Sequence, residues 1–247
     1  MSESFMQNPF DIPEIAALGY FLLMWAGYAR YAKYRAKREK GASLSRSLRD
    51  HREAWARRLL TREMRMTDAS LLASQERVVG FFSSATLLLM AGVLTALTTS
   101  DQIAELSSHI PFAEHQSTGQ VEAKLALLLV ILIYAFFKVT WSLRQYGFAA
   151  VVMGGAPDAD ENISAEQTDA FACNFAKLMD SAGHDNNSGL RAYYFGLSVM
   201  CWLFGTVPFL LATTITVLVL YRREVVSNTV EAIRQSLVPL PGSDDES

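Results

Sequence analysis

Cysteine is scarce. The chain of 247 residues holds only two, Cys173 and Cys201, and they have no paired spacing. That excludes a disulfide scaffold and a zinc ribbon, and both residues read as unlinked thiols. The familiar catalytic patterns are missing as well: there is no nucleophile–base arrangement, metal-ligand cluster, P-loop or dinucleotide fingerprint. His109 and His115 stand in a polar stretch whose spacing makes no metal site, and the adjacent His184 and Asp185 cannot readily aim at one another as a catalytic pair. No catalytic residue, metal or cofactor is therefore expected, and the reading leans to a non-enzymatic role, with a membrane-embedded enzyme as the third alternative. Positive charge is also absent from two places. Residues 1–11 carry no Lys or Arg, so they lack the basic start of a cleavable secretory signal. Residues 100–122 carry none either, while holding Asp101, Glu105, Glu114 and Glu122.

What is present is apolar sequence and sharply segregated charge. Hydrophobic residues make up 51% of the chain and the mean hydropathy is +0.16, high for a soluble domain and modest for a membrane protein with sizeable loops. The formal net charge is -3, yet Arg30 to Arg77 concentrates 14 of the 22 Lys and Arg residues against six acids. Apolar runs flank this basic segment on both sides. The positive-inside rule then places it in the cytoplasm and the N-terminus outside. Nucleic acid is not an expected partner, since no recognition motif accompanies the charge.

Four spans follow from the apolar runs, at about 12–31, 78–97, 125–146 and 192–221, each long enough for a hydrocarbon layer of about 30 Å. Between them lie a basic cytoplasmic loop at 32–77, an acidic outer connection, and an acidic cytoplasmic loop at 154–190. A single membrane domain covers 1–235, and an acidic tail at 236–247 reads as disordered. The last run is too long for one perpendicular crossing, and tilt or a kink near Gly205 and Pro208 can absorb the excess. Four crossings put the C-terminus outside; a re-entrant last segment ending in the cytoplasm is the alternative. Gly80-xxx-Ser84 and Gly92-xxx-Ala96 are small-residue pairs that could admit a neighbouring helix.

Two groups of residues are candidates for function. In the basic loop, Leu44, Leu48, Trp55, Leu59 and Met66 fall within an arc of about 60° at 100° per residue, as in an amphipathic helix. Arg46, Arg49, Arg52, Arg57, Arg58, Arg62 and Arg65 surround that stripe. With Trp55 they form a candidate surface for anionic lipid or a protein partner, though the same charges could serve only to fix topology. In the acidic loop, Ser164 and Gln167 make a capping box, and Phe171, Phe175, Leu178 and Met179 mark one face of a helix ending near Gly183. The run 184–188 reads as loop. Its acids suggest that this loop docks on the basic segment and satisfies arginines without lipid. The second group is a polar and aromatic stripe near the inner end of the third span: Tyr134, Lys138, Trp141 and Gln145, with Arg144 and Arg191 near them. A lysine within a span is a candidate site by default, and snorkelling to the headgroups is the bland alternative.

Three stretches carry a resemblance. Arg62-Glu63-Met64-Arg65-Met66-Thr67-Asp68 leading to Phe81-Phe82-Ser83-Ser84 is the first, and Ala135 through Tyr146 is the second and most specific. The third is Gly189-Leu190-Arg191-Ala192-Tyr193-Tyr194-Phe195. Together they resemble the bacterial domain of unknown function 599 family over about residues 12–235. The resemblance implies a four-span protein of the bacterial inner membrane and brings no catalytic or ligand-binding residues with it. The sequence thus leads to an all-α polytopic membrane protein with four transmembrane helices plus cytoplasmic amphipathic helices. Its expected role is a scaffold or accessory subunit binding anionic lipid or an unidentified membrane-protein partner through the Arg-rich face. The alternative is a small-solute or ion transporter acting as a homo-oligomer.

Overall fold

The computed structural model describes residues 10–38, 44–109, 114–225 and 228–236. Eight helices account for almost all of them: α1 (Ile12–Arg38), α2 (Leu44–Leu60), α3 (Met66–Thr98), α4 (Ser100–His109), α5 (Thr118–Gly154), α6 (Ala165–Trp202), α7 (Thr206–Val225) and α8 (Asn228–Gln235). No strand occurs among the described residues. Four helices are long and apolar enough to cross a membrane: Ile12–Ala32 of α1, all of α3 and α5, and Thr206–Arg223 of α7. The chain is an all-α, multi-pass membrane protein. The acidic tail lies outside the described residues, apart from Ser236.

The helix limits have local causes. Ser117 accepts from the Gln120 amide at 3.3 Å while the Gln120 side chain accepts from the Ser117 amide at 2.8 Å, a capping box that starts α5. The box expected at Ser164 and Gln167 starts α6 in the same way, with bonds of 3.1 and 2.8 Å. α5 stops at Gly154, before Gly155 and Pro157, as their chemistry requires. At 33 and 37 residues, α3 and α5 extend well beyond the spans of 78–97 and 125–146. At about 1.5 Å per residue each is much longer than the hydrocarbon layer is thick.

Two expectations are corrected. The polar run 184–188 is not a loop, because α6 passes through it unbroken to Trp202. The single last span, 192–221, is two helices. α6 ends at Trp202, the chain turns through Leu203, Phe204 and Gly205, and α7 starts at Thr206. Gly205 takes φ +138°, and a Cβ there would come within 3.0 Å of the Glu114 carboxyl carbon, so this position needs glycine. Glu114 accepts from the Thr206 amide and hydroxyl, both at 3.1 Å, and caps α7. Pro208 then sits in the first turn of α7, where its missing N–H costs little.

The chain divides into two compact units. The first comprises residues 1–32, 83–137 and 188–220. Its core is aromatic. Phe21 meets Trp25, Phe195 and Phe209, and Trp202 stacks on Phe209 at 4.4 Å between centroids. Within it, the end of α6 and the start of α7 pack antiparallel, with Ser198 bonded to Thr216 at 3.0 Å. Gly196 is where helices close up, since a Cβ there would lie 3.3 Å from Leu128. At Gly80 and Gly92 a Cβ would meet nothing within 4 Å, so among the described residues no helix closes up on either glycine.

The second unit comprises residues 33–82, 138–187 and 221–247. It contains α2, the start of α3, the end of α5, the first half of α6, and α8. α8 lies against α2, where the His51 ring nitrogen is 2.7 Å from the Ile233 carbonyl oxygen. The end of the described chain is therefore beside the basic segment. That contact does not fit the expectation that the C-terminus lies outside, away from the basic cytoplasmic segment.

Candidate functional site

α2 is amphipathic, as its period requires, and its arginines are engaged inside the second unit. Arg52 pairs with Asp180 of α6, with Arg49 3.7 Å from the same carboxylate. Gly183 leaves the space, because a Cβ there would stand 3.2 Å from the Arg52 guanidinium. Burial pushes the Asp180 carboxyl above its ordinary range, outweighing the opposing pull of Arg52 and Arg49. Arg49 also pairs with Glu53 at 3.1 Å, and this bond raises its already high value. Arg57 pairs with Asp169 at 3.0 Å. The apolar stripe follows the same contact, with Leu59 fully buried and Trp55 edge-on to Phe175 at 5.6 Å. The acidic stretch does dock on the basic one.

The α2–α3 corner is held separately. Asp68, fully buried in the first turn of α3, accepts from the Trp55 indole at 2.6 Å and from Arg62. Arg65 donates to the carbonyls of Ala156, at 2.9 Å, and Pro157. Of the eight candidate residues of the basic face, Arg49, Arg52, Trp55, Arg57, Arg62 and Arg65 thus have partners within the chain. Arg58 is exposed on α2, and the Arg46 side chain lies outside the described ones. Met66, expected on the α2 stripe, begins α3 instead and is exposed.

The second candidate group separates. Lys138 donates to Asp185 at 2.8 Å, and Gln145 donates to the other oxygen of that carboxylate at 2.7 Å. Ser142, on the same stretch of α5, donates to the Ala182 carbonyl at 2.7 Å. Tyr134 and Trp141 share the helix face but are exposed, Tyr134 meeting Trp25 edge-on at 5.9 Å. Arg144 lies over Phe148, and Arg191 lies over Tyr28 in the other unit. Of the four residues on that face, Lys138 and Gln145 share a partner, Asp185, and the two aromatic residues do not join them. Lys138 reaches Asp185 through its long stem.

Sequence reasoning missed two residues of consequence. Asp185 sat in the run read as loop. Lys124, beside an apolar run, is only 1% exposed and pairs with Glu14 of α1 at 2.7 Å, within the first unit. Gln116 accepts from the Lys124 ammonium at 3.0 Å, Gln120 donates to Glu14 at 2.9 Å, and the ammonium lies 5.1 Å from the centre of the Trp202 ring. An open apolar groove of 260 Å³ in the same unit is lined by Leu22, Trp25, Ala26, Ala29 and Tyr134.

The family model described as "Protein of unknown function, DUF599" matches residues 16–229. No curated protein matches the chain, and no solved structure does.

Proposed function

Because the chain belongs to the DUF599 family, whose function is unknown, we propose that it is a non-enzymatic scaffold or accessory protein of the inner membrane that binds anionic lipid at the α2–α3 corner. The observation that carries this is the exposed turn 61–64, just before the membrane-length α3: Met64 is 75% exposed next to Arg62, whose side chain is 42% exposed. An apolar side chain beside a guanidinium, at the start of a helix long enough to cross, suits the boundary between acyl chains and phosphates. The charge asymmetry supports an outside N-terminus. Arg58 and Arg62 are exposed, and Arg57 beside them pairs with an Asp169 that is itself exposed, so these three present the accessible positive charge of the face. Replacing these three by Gln should remove anionic lipid from the protein in native nanodiscs, read by mass spectrometry of the intact assembly, with the helical content unchanged. Retention of the same lipid in the triple variant would overturn the reading. A second reading, an ion or solute pathway, is favoured by the Lys138–Asp185 pair, since ionisable groups at membrane depth are costly to keep without a use. Flux in proteoliposomes no greater than in empty vesicles would remove it.

A further inference from the structure

Asp185 is held on both sides. Its side chain is 11% exposed, Lys138 occupies one oxygen and Gln145 the other. The group that is left incomplete is the Gln145 carboxamide. Its nitrogen is used, but its Oε1 is buried and has no hydrogen-bond donor. The residue itself is 3% exposed, so bulk water does not serve that oxygen. A carboxylate beside an amide oxygen with no donor is a set of hard acceptors, and a hard cation is what completes such a set.

Lys138 now occupies the place such a cation would take. Its side chain is 35% exposed, on a flexible four-carbon stem that can withdraw the ammonium to the surface without unwinding α5. The amide of Gln145 can then rotate about its last torsion, turning Oε1 toward the carboxylate where Nε2 had been. We infer that Asp185 and the Gln145 Oε1 form a binding site for a monovalent alkali cation, Na⁺ or K⁺, which exchanges with the Lys138 ammonium. Charge decides the valence. One positive charge leaves as one arrives, so the site stays neutral, whereas a divalent ion would leave an uncompensated charge among low-dielectric walls. Transition-metal chemistry fits less well, because no group of three or more His, Cys, Asp or Glu side chains gathers among the described residues. The inference is independent of the lipid reading and supplies the ligand that the pathway reading lacks.

The test is thermal unfolding of the full chain in nanodiscs in NaCl, KCl and choline chloride at equal ionic strength, for wild type, Lys138→Met and Asp185→Asn. Lys138→Met removes the built-in competitor, so Na⁺ or K⁺ should stabilise it relative to choline, with an apparent Kd at least about ten-fold tighter than wild type. Asp185→Asn should lose the alkali-specific response. Should Lys138→Met not fold, Lys138→Gln, which keeps a polar group and loses the charge, takes its place; ²³Na line broadening on wild type reads binding without any variant. Equal unfolding in alkali and choline salts, with no line broadening, would overturn the site. So would an alkali response that survives Asp185→Asn, because it would put the ion elsewhere.

Discussion

At the scale of single residues, Lys124 and Glu14 form a pair of opposite charges that is almost wholly buried. The pair is well served: Glu14 takes Lys124, Gln120 and the Asp11 amide, and Lys124 takes Glu14, Gln116 and the Trp202 ring. It reads as a closed structural clasp, unlike Asp185, whose neighbour Gln145 keeps an acceptor open. Lys124→Met should cost about 3–5 kcal/mol, because it strands the Glu14 carboxylate. The double change Lys124→Met with Glu14→Gln should recover most of that loss, and a double-mutant cycle in thermal unfolding measures the coupling. Additive effects would mean that the two do not act as a pair. Neither this clasp nor Asp185 was legible in the sequence. Lys124 stands beside Glu122 in what reads as the polar margin of a span, and only the fold shows that Glu14, 110 positions away, closes on it. Asp185 was hidden by composition, since His-Asp-Asn-Asn-Ser are loop formers when solvated. Lys138 and Gln145 supply the partners that let the run stay helical.

At the scale of elements, the sequence was most informative where a period or a charge balance could speak. The apolar runs give the spanning helices, the capping box at Ser164 gives the start of α6, and the excess of acids at 158–180 gives its docking on α2. The break at 203–205 was only half visible. Gly205 and Pro208 mark a weak point, but whether a helix kinks or reverses there depends on Glu114 and on the Trp202–Phe209 stack, which hold the reversed chain in place. The docking of α2 rests unequally on its arginines. Arg52 meets a half-buried Asp180, with both side chains at most a quarter exposed, whereas Arg57 meets an Asp169 that is 65% exposed. Arg52→Gln should weaken the contact by about 1.5–3 kcal/mol, the range for a charge-assisted hydrogen bond. Arg57→Gln should cost less than about 1 kcal/mol, as exposed pairs do. Hydrogen exchange resolves the two: amides of α2 should exchange distinctly faster in the Arg52 variant and near the wild-type rate in the Arg57 variant. Equal acceleration in both would mean that general charge attraction, not the Asp180 contact, docks the helix.

At the scale of the whole molecule, the number of passes decides where the chain ends. Four apolar spans alone return the C-terminus to the side on which the N-terminus began. The reversal at Gly205 makes the end of α6 and the start of α7 separate antiparallel segments, which makes the stretch 188–202 a candidate for a further crossing beside the four long apolar helices. It escapes a hydropathy count because α6 is polar over its first half and too short in its apolar part, yet Ala192, Phe195, Val199 and Trp202 are buried in the aromatic core. In a bilayer such packing, at about 0.5–1.5 kcal/mol per aromatic pair, takes over the holding role that hydrophobic burial has in water. A crossing by 188–202 would bring α8 to the face that carries α2, as the bond between His51 and the Ile233 carbonyl asks. The prediction is a common side for both helices. Single cysteines placed at Arg58 and at Gln235, in a chain with Cys173 and Cys201 changed to Ser, should react with a membrane-impermeant maleimide from the same face of sealed vesicles. Both should be protected in the opposite vesicle orientation. Labelling of the two from opposite faces would restore the four-pass count and detach α8 from α2.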